Sequence, residues 1–336
     1  MITIKDNVAD INRQQWNDLV KASSVATWFQ TPEAYDFFAS VPEEMTPFVV
    51  AVQAESELRA VCVGYVTKEK KPLKQFLTAR AIIIGGPLLA NDCADEEVMS
   101  LLKAIETHLS ELGRPIYIET RNFNDYSRWK PAFERCGWKY LPHLNFHLNT
   151  SNKDEMMANM SESKRRQIKK SIKNGAIIEE VSSEDELKQY YNILLALYKT
   201  KVKTPLFSFG WFLNFYQKNM GKCFVVKKEE KVIGGIICPI LKERIIYEWF
   251  VCGLDSEYKD IYPSVMATYA AMDYATHSNI KMFDFMGAGT PDASYGVREF
   301  KERFGGELVE HGRFNKVCKP LLYEFGKLGV KIMKKL

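Results

Sequence analysis

The stretch Lys281–Phe314, KMFDFMGAGTPDASYGVREFKERFGGELVEHGRF, decides the fold. Between Met282 and Met286, Phe283 and Phe285 fall on one face of an extended chain and Asp284 on the other, which predicts a strand. Gly287 to Gly296 is rich in Gly, Pro, Asp and Ser and predicts a loop. Val297 to Phe304 predicts a short helix stopped by Gly305-Gly306, and Glu307 to Phe314 one more strand. A loop that delivers Phe300 and Lys301 beside the end of a sheet is a candidate place for chemistry.

Ahead of this stretch, Cys223–Lys227 and Val232–Leu241 predict a hairpin around the charged residues 228–231. Arg244–Cys252 predicts a strand, and Tyr262–His277 a helix opened by Pro263. The same order stands earlier in the chain. Phe48–Val52 and Arg59–Val66 predict a hairpin, and Ala81–Ile84 a strand closed by Gly85-Gly86-Pro87. Asp95–Leu112 predicts an amphipathic helix with Val98, Leu101, Leu102, Ile105 and Leu109 on one stripe. Pro115–Thr120, Ser127–Cys136 and Trp138–Leu148 follow as strand, helix and strand region. Matching landmarks recur at similar offsets: Gly305 minus Gly137 is 168, and Lys281 minus Pro115 is 166. The expectation is an internal duplication of an α+β unit, with domains 1–150 and 151–319 followed by a terminal helix, 320–336.

A chain of 336 residues with 46% hydrophobic and 12% aromatic content builds two cores and is not a disordered one. The small net charge of +4 is uneven, the first half slightly acidic and the second basic. The seven cysteines form no CxxC or Cys/His cluster, and most sit in apolar runs, so buried free thiols in a reducing cytoplasm fit better than disulfides or a metal. No apolar run reaches the ~20 residues of a membrane span. Between the copies, Ser161–Gly175 holds six Lys/Arg and one Glu. On a helix, Ile168 and Ile172 share one face while Arg166, Lys169, Lys170 and Lys173 share the other. The terminal segment 320–336 mixes apolar residues with Lys327, Lys331, Lys334 and Lys335 and reads as a packed helix with solvated lysines or one resting on an anionic membrane surface.

The duplicated order of hairpin, strand, helix, strand, helix, strand resembles the GNAT N-acetyltransferase fold, two tandem domains each with a mixed, mostly antiparallel sheet flanked by helices. Together with the SxxKRRQIKKSIKNG helix and the FDFMGAG…YGVREFKERFGG ending, it resembles the FemABX family over about residues 10–325. Trp28-Phe-Gln30-Thr-Pro is similar to that family's Gln-Ser segment. The resemblance implies an aminoacyltransferase that takes amino acids from aminoacyl-tRNA and adds them to a nucleotide- or lipid-linked peptidoglycan precursor, in the cytoplasm or at the inner face of the plasma membrane. It further implies that Lys301 and Phe300, in FKERFGG, match the family's functional lysine and its neighbour, with Tyr295 and Arg298 beside them as substrate-binding candidates. Arg165, Arg166 and Lys169 suit phosphate contacts of tRNA or precursor. No cofactor is expected in this reading. Acetyl-CoA enters in the alternative, a CoA-dependent N-acyltransferase on an amino sugar or envelope glycan precursor, and a non-catalytic tRNA- or membrane-binding relic is a third. Cys252–Pro263, with one glycine and three acids, makes a poor pyrophosphate cradle. Glu248 and Asp284 are carboxylates within apolar strands: either is a candidate general base, and the alternation favours the solvent-facing reading for both.

Overall fold

A computed structural model describes residues 1–69, 72–292 and 296–333. The chain forms two units: Met1–Pro142 joined by the chain from His311 onward, and His143–Glu310. In the first unit the strands lie in the order Ile2–Lys5, Met45–Ala54, Glu57–Thr67, Arg80–Gly85, Tyr117–Asn122, Arg313–Val317 and Lys139–Leu141. In the second they lie in the order Ile177–Glu180, Gly221–Lys228, Lys231–Leu241, Ile245–Tyr247, Met282–Asp284, Leu144–Asn149 and Glu307–Glu310. Each sheet also has a short strand off the path, Leu88–Leu89 on Glu57–Thr67 and Phe250–Gly253 on Lys231–Leu241. The two orders correspond strand for strand. In both, the fourth and fifth strands pair in parallel, Arg80–Gly85 with Tyr117–Asn122 and Ile245–Tyr247 with Met282–Asp284. The expected α+β duplication is therefore present.

Two expected strands break, and the break redraws the units. Trp138–Leu148 divides into Lys139–Leu141 and Leu144–Asn149, and Glu307–Phe314 into Glu307–Glu310 and Arg313–Val317. Pro142 has no N–H to donate to a ladder, and Gly312 turns the chain at φ +61°. Beyond each break the chain enters the other sheet, next to its edge strand. The limits expected at 150/151 and 319/320 thus fall at 142/143 and 310/311, and the helix Pro320–Met333 belongs to the first unit.

The helices form where the local chemistry directs. Asp95–Leu112 buries the predicted Val98, Leu101, Leu102, Ile105 and Leu109, and its first turn carries Asp95, Glu96 and Glu97 at the positive end of the helix dipole. Pro263–His277 starts with proline at its first position and lies in the second core, where Met266, Ala267, Ala270, Ala271, Met272 and Ala275 are buried with Ile236, Ile246 and Phe283. Gly305, the first glycine of the FKERFGG phrase, sits at φ +86°, and a side chain there would strike the Asn159 backbone.

Gln30 ties the first unit together. Its buried amide donates to Ile84 O at 2.8 Å and Val63 O at 3.2 Å and accepts from Val63 N at 2.9 Å. It therefore bridges Glu57–Thr67 and Arg80–Gly85. Gln30→Leu orphans these groups at about 1–3 kcal/mol each where water cannot enter, so urea unfolding is expected to show a loss of about 3 kcal/mol. An unchanged midpoint would mean that Gln30 has no structural role.

Candidate active site

In the second unit the parallel ladder stops early. Glu248 N donates to Asp284 O at 2.9 Å, then Trp249 N turns to Ile237 O at 3.0 Å, and Phe250–Gly253 pairs with residues 234–237. The strands part at this point, and charged side chains fill the place. Lys301, buried on the helix Gly296–Glu302, donates from Nζ to Phe285 O at 2.5 Å and Gly287 O at 3.0 Å. Its third contact is Glu248 Oε1 at 3.1 Å. The other Glu248 oxygen accepts from Thr268 Oγ1, on the helix Pro263–His277, at 3.1 Å. Burial raises the Glu248 carboxyl above its ordinary range; Lys301 and Thr268 work against that shift, and Asp284 adds to it.

Asp284 is fully buried. Its Oδ1 accepts from Asn145 Nδ2 at 2.8 Å and Met286 N at 2.6 Å, and its Oδ2 lies 3.1 Å from His147 Nε2. Asn145 Oδ1 in turn accepts from Gly287 N at 2.7 Å. The solvent-facing expectation for Glu248 and Asp284 is corrected: both turn inward, where Lys301 and Thr268 meet Glu248 and where Asn145 and the Met286 amide meet Asp284. Lys301 is likewise a buried group with all three donors engaged.

Phe300 packs on the core edge-to-face with Phe304, centroids 5.3 Å apart. Over both rings sits Lys164, buried on the basic helix Glu162–Lys173, its Nζ 3.7 Å from the Phe300 centroid and 4.7 Å from that of Phe304. Burial, followed by the nearby Arg303 charge, pushes the Lys164 ammonium down to about 8, while Asp255 and Glu248 oppose the shift.

The other sequence-derived candidates separate from this cluster. Arg165 donates to the carbonyls of Met157, Ala158 and Met160, closing the helix Lys153–Asn159. Arg298 donates to Ala288 O at 2.9 Å and also to Thr290 O, stapling the loop before its helix. Both arginines therefore spend their guanidinium groups on the chain's own carbonyls. Arg166 and Lys169 are exposed, and Tyr295 lies outside the described residues. Sequence reading missed Lys164, Thr268, Asn145 and His147. Asn145 and His147 carried a signal, since they are two apart and share a face of Leu144–Asn149, but nothing showed which sheet that strand joins.

The helix N-terminus where a GNAT enzyme would cradle pyrophosphate is already occupied. Pro263 has no N–H, and Ser264 N donates to Asp255 Oδ1 at 3.0 Å while Ser264 Oγ bonds the other oxygen. In the first unit the matching helix begins with three acids, and Glu97 accepts from Ala94 N at 2.7 Å. There the position after the fourth strand is sealed by Tyr126, whose hydroxyl donates to Pro87 O at 2.6 Å and lies 3.1 Å from Gly85 O. A side chain at Gly86 would approach the Tyr126 ring to 2.6 Å. The buried lysine–carboxylate cluster belongs to the second unit.

Residues 227–331 match the FemAB family model. The matched segment holds Glu248, Thr268, Asp284, Phe300 and Lys301. The crystal structure of FemX superposes with a TM-score of 0.72 at 14% identity, covering 96% of this chain and 99% of FemX. A tandem GNAT protein from the clavulanic acid biosynthesis pathway gives 0.60 at 11% identity, covering 95% and 99%. L-PGS from Bacillus licheniformis gives 0.56 at 12% identity, covering 92% of each chain. These likenesses show the tandem GNAT-like fold. No curated protein matches.

Two measurements probe the cluster. Removing one partner of a buried pair leaves an uncompensated charge at a cost of about 3–5 kcal/mol. Glu248→Leu is therefore expected to destabilise strongly, and adding Lys301→Met to recover most of the loss; additive losses would contradict the pairing. Lys164 stands at about 8 folded against 10.5 unfolded, so the unfolded chain holds the extra proton between those pH values. Wild-type stability therefore rises with pH across that window. Relative to wild type, Lys164→Met should melt higher at pH 7, and the gap should narrow between pH 8 and 10.5; a pH-independent gap would show that the ammonium is not destabilised by burial.

Proposed function

We propose that this protein is an aminoacyltransferase that moves an amino acid from aminoacyl-tRNA to an amine of a peptidoglycan precursor. The observation that carries the reading is the buried Lys301–Glu248 pair, which fixes the carbonyls of Phe285 and Gly287 where the two parallel strands part, within the FemAB-matching segment. In the reaction the neutral acceptor amine attacks the ester carbonyl, a C–N bond forms, the bond to the ribose oxygen breaks, and one amine proton ends on that oxygen. Negative charge develops on the carbonyl oxygen in between. Lys301 has its donors committed and acts as a positioning residue, through the loop it orders and the positive field it keeps in a site of low dielectric. Charged tRNA as donor puts the reaction in the cytoplasm.

The same geometry weighs against coenzyme A as donor. A pyrophosphate at the start of Pro263–His277 would compete with the Asp255 carboxylate for the Ser264 amide and meet its negative charge.

Labelled aminoacyl-tRNAs incubated with lipid-linked and nucleotide-linked precursors test the proposal. Wild type is expected to transfer label to one acceptor. Lys301→Met, folded by circular dichroism, is expected to lose about 100-fold or more in kcat with a smaller change in KM. Undiminished turnover of that variant removes Lys301 from the reaction, and micromolar binding of acetyl-CoA with no transfer from tRNA overturns the proposal.

A further inference from the structure

Two helices of the first unit, Pro72–Thr78 and Pro320–Met333, pack together. Tyr323 meets Tyr117 edge-to-face at 5.4 Å, and Lys319 Nζ lies 4.7 Å over the Phe76 ring. Yet this pair of helices leaves large apolar side chains in solvent: Leu73 is 71% exposed, Phe76 55%, Leu77 46%, Leu321 78% and Phe325 70%. Burying these five in an apolar phase is favourable. A contiguous patch of this kind marks an interaction surface.

The charge around the patch names the occupant. In sequence, residues 319–333 carry Lys319, Lys327 and Lys331 against one acid, beside the exposed Leu321 and Phe325. PLKQFLT, the other helix, carries Lys74 and no acid, and Glu324 is the one acid of Pro320–Met333. A second copy of the same face would set lysines against lysines. An anionic bilayer surface takes the exposed apolar side chains at its headgroup boundary and the lysines at its phosphates. Fourteen residues of helix reach about 21 Å, short of the ~30 Å hydrocarbon core, so the helix lies along the surface. Among the described residues no helix is long and apolar enough to cross a membrane.

We infer that the face formed by Pro72–Thr78 and Pro320–Met333 docks on anionic phospholipid bilayers. The docking stands apart from the transfer reaction and can be tested without it. The full chain is floated with phosphatidylcholine vesicles and with vesicles containing about 30% phosphatidylglycerol, at low and high salt. Wild type is expected to float with the anionic vesicles, less so at high salt, and to stay behind with the neutral ones. The double variant Leu321→Asp with Phe325→Asp, both solvent-exposed positions, is expected to keep its melting temperature and lose roughly tenfold or more in vesicle affinity. Capture by neutral and anionic vesicles alike, flotation of the variant equal to wild type, or no flotation of wild type overturns the inference. So does a dimer in light scattering that the same two substitutions dissolve, which assigns the face to a second copy.

Discussion

A lysine ammonium and a glutamate carboxylate placed together in a low-dielectric interior hold the second unit's site in shape. Stripping water from both costs several kcal/mol per ion, and their attraction offsets this only when the remaining hydrogen-bonding capacity is filled. Here it is filled: Lys301 reaches two loop carbonyls besides Glu248, and Glu248 reaches Thr268. The contact therefore ties together four elements, the strand break at Glu248, the helix bearing Thr268, the loop after Met282–Asp284 and the helix bearing Lys301. The Asn145–Asp284 pair fixes the same loop from its other side through Gly287 N and Met286 N. Neither network depends on one element alone.

The duplication shows one scaffold put to two uses. Both units part from a parallel pairing at the same place in the strand order. The first closes that place with neutral groups, the Tyr126 hydroxyl on Gly85 and Pro87 and the Gln30 amide between strands, and it gains rigidity. The second accepts buried charge there, together with Lys164 perched on Phe300 and Phe304. At the start of the helix following the fourth strand, Asp255 takes the Ser264 amide in the second unit and Glu97 the Ala94 amide in the first.

Local signals were legible in the sequence. The stripe of Asp95–Leu112, the hairpins, Pro263 as a helix start and Gly305 as a stop all stand as read, because each depends on neighbours within a few residues. The closing FKERFGG phrase also carried the family resemblance. Tertiary facts were not legible. Leu144–Asn149 and Arg313–Val317 alternate equally well in either sheet, so their exchange left no trace in the pattern. Glu248 looked solvent-facing because its lysine lies 301 − 248 = 53 residues away, and Asp284 because Asn145 lies 284 − 145 = 139 residues before it. Arg165 looked free for phosphate, and Arg298 for substrate, because the carbonyls they cap come from loops and helix ends whose positions only the fold supplies. Lys164 hid among five other basic residues, its aromatic seat 136 residues further on (300 − 164).

The central claim is that acyl transfer occurs at the Lys301 cluster of the second unit. A crystal structure with a hydrolysis-resistant aminoacyl-adenosine, an amide replacing the labile ester, tests it most directly. The account predicts the aminoacyl carbonyl in the second unit beside the Phe285–Gly289 loop, near Lys301 and Glu248. Density for that carbonyl at the Tyr126-sealed position of the first unit, or away from the Lys301 loop altogether, would contradict it.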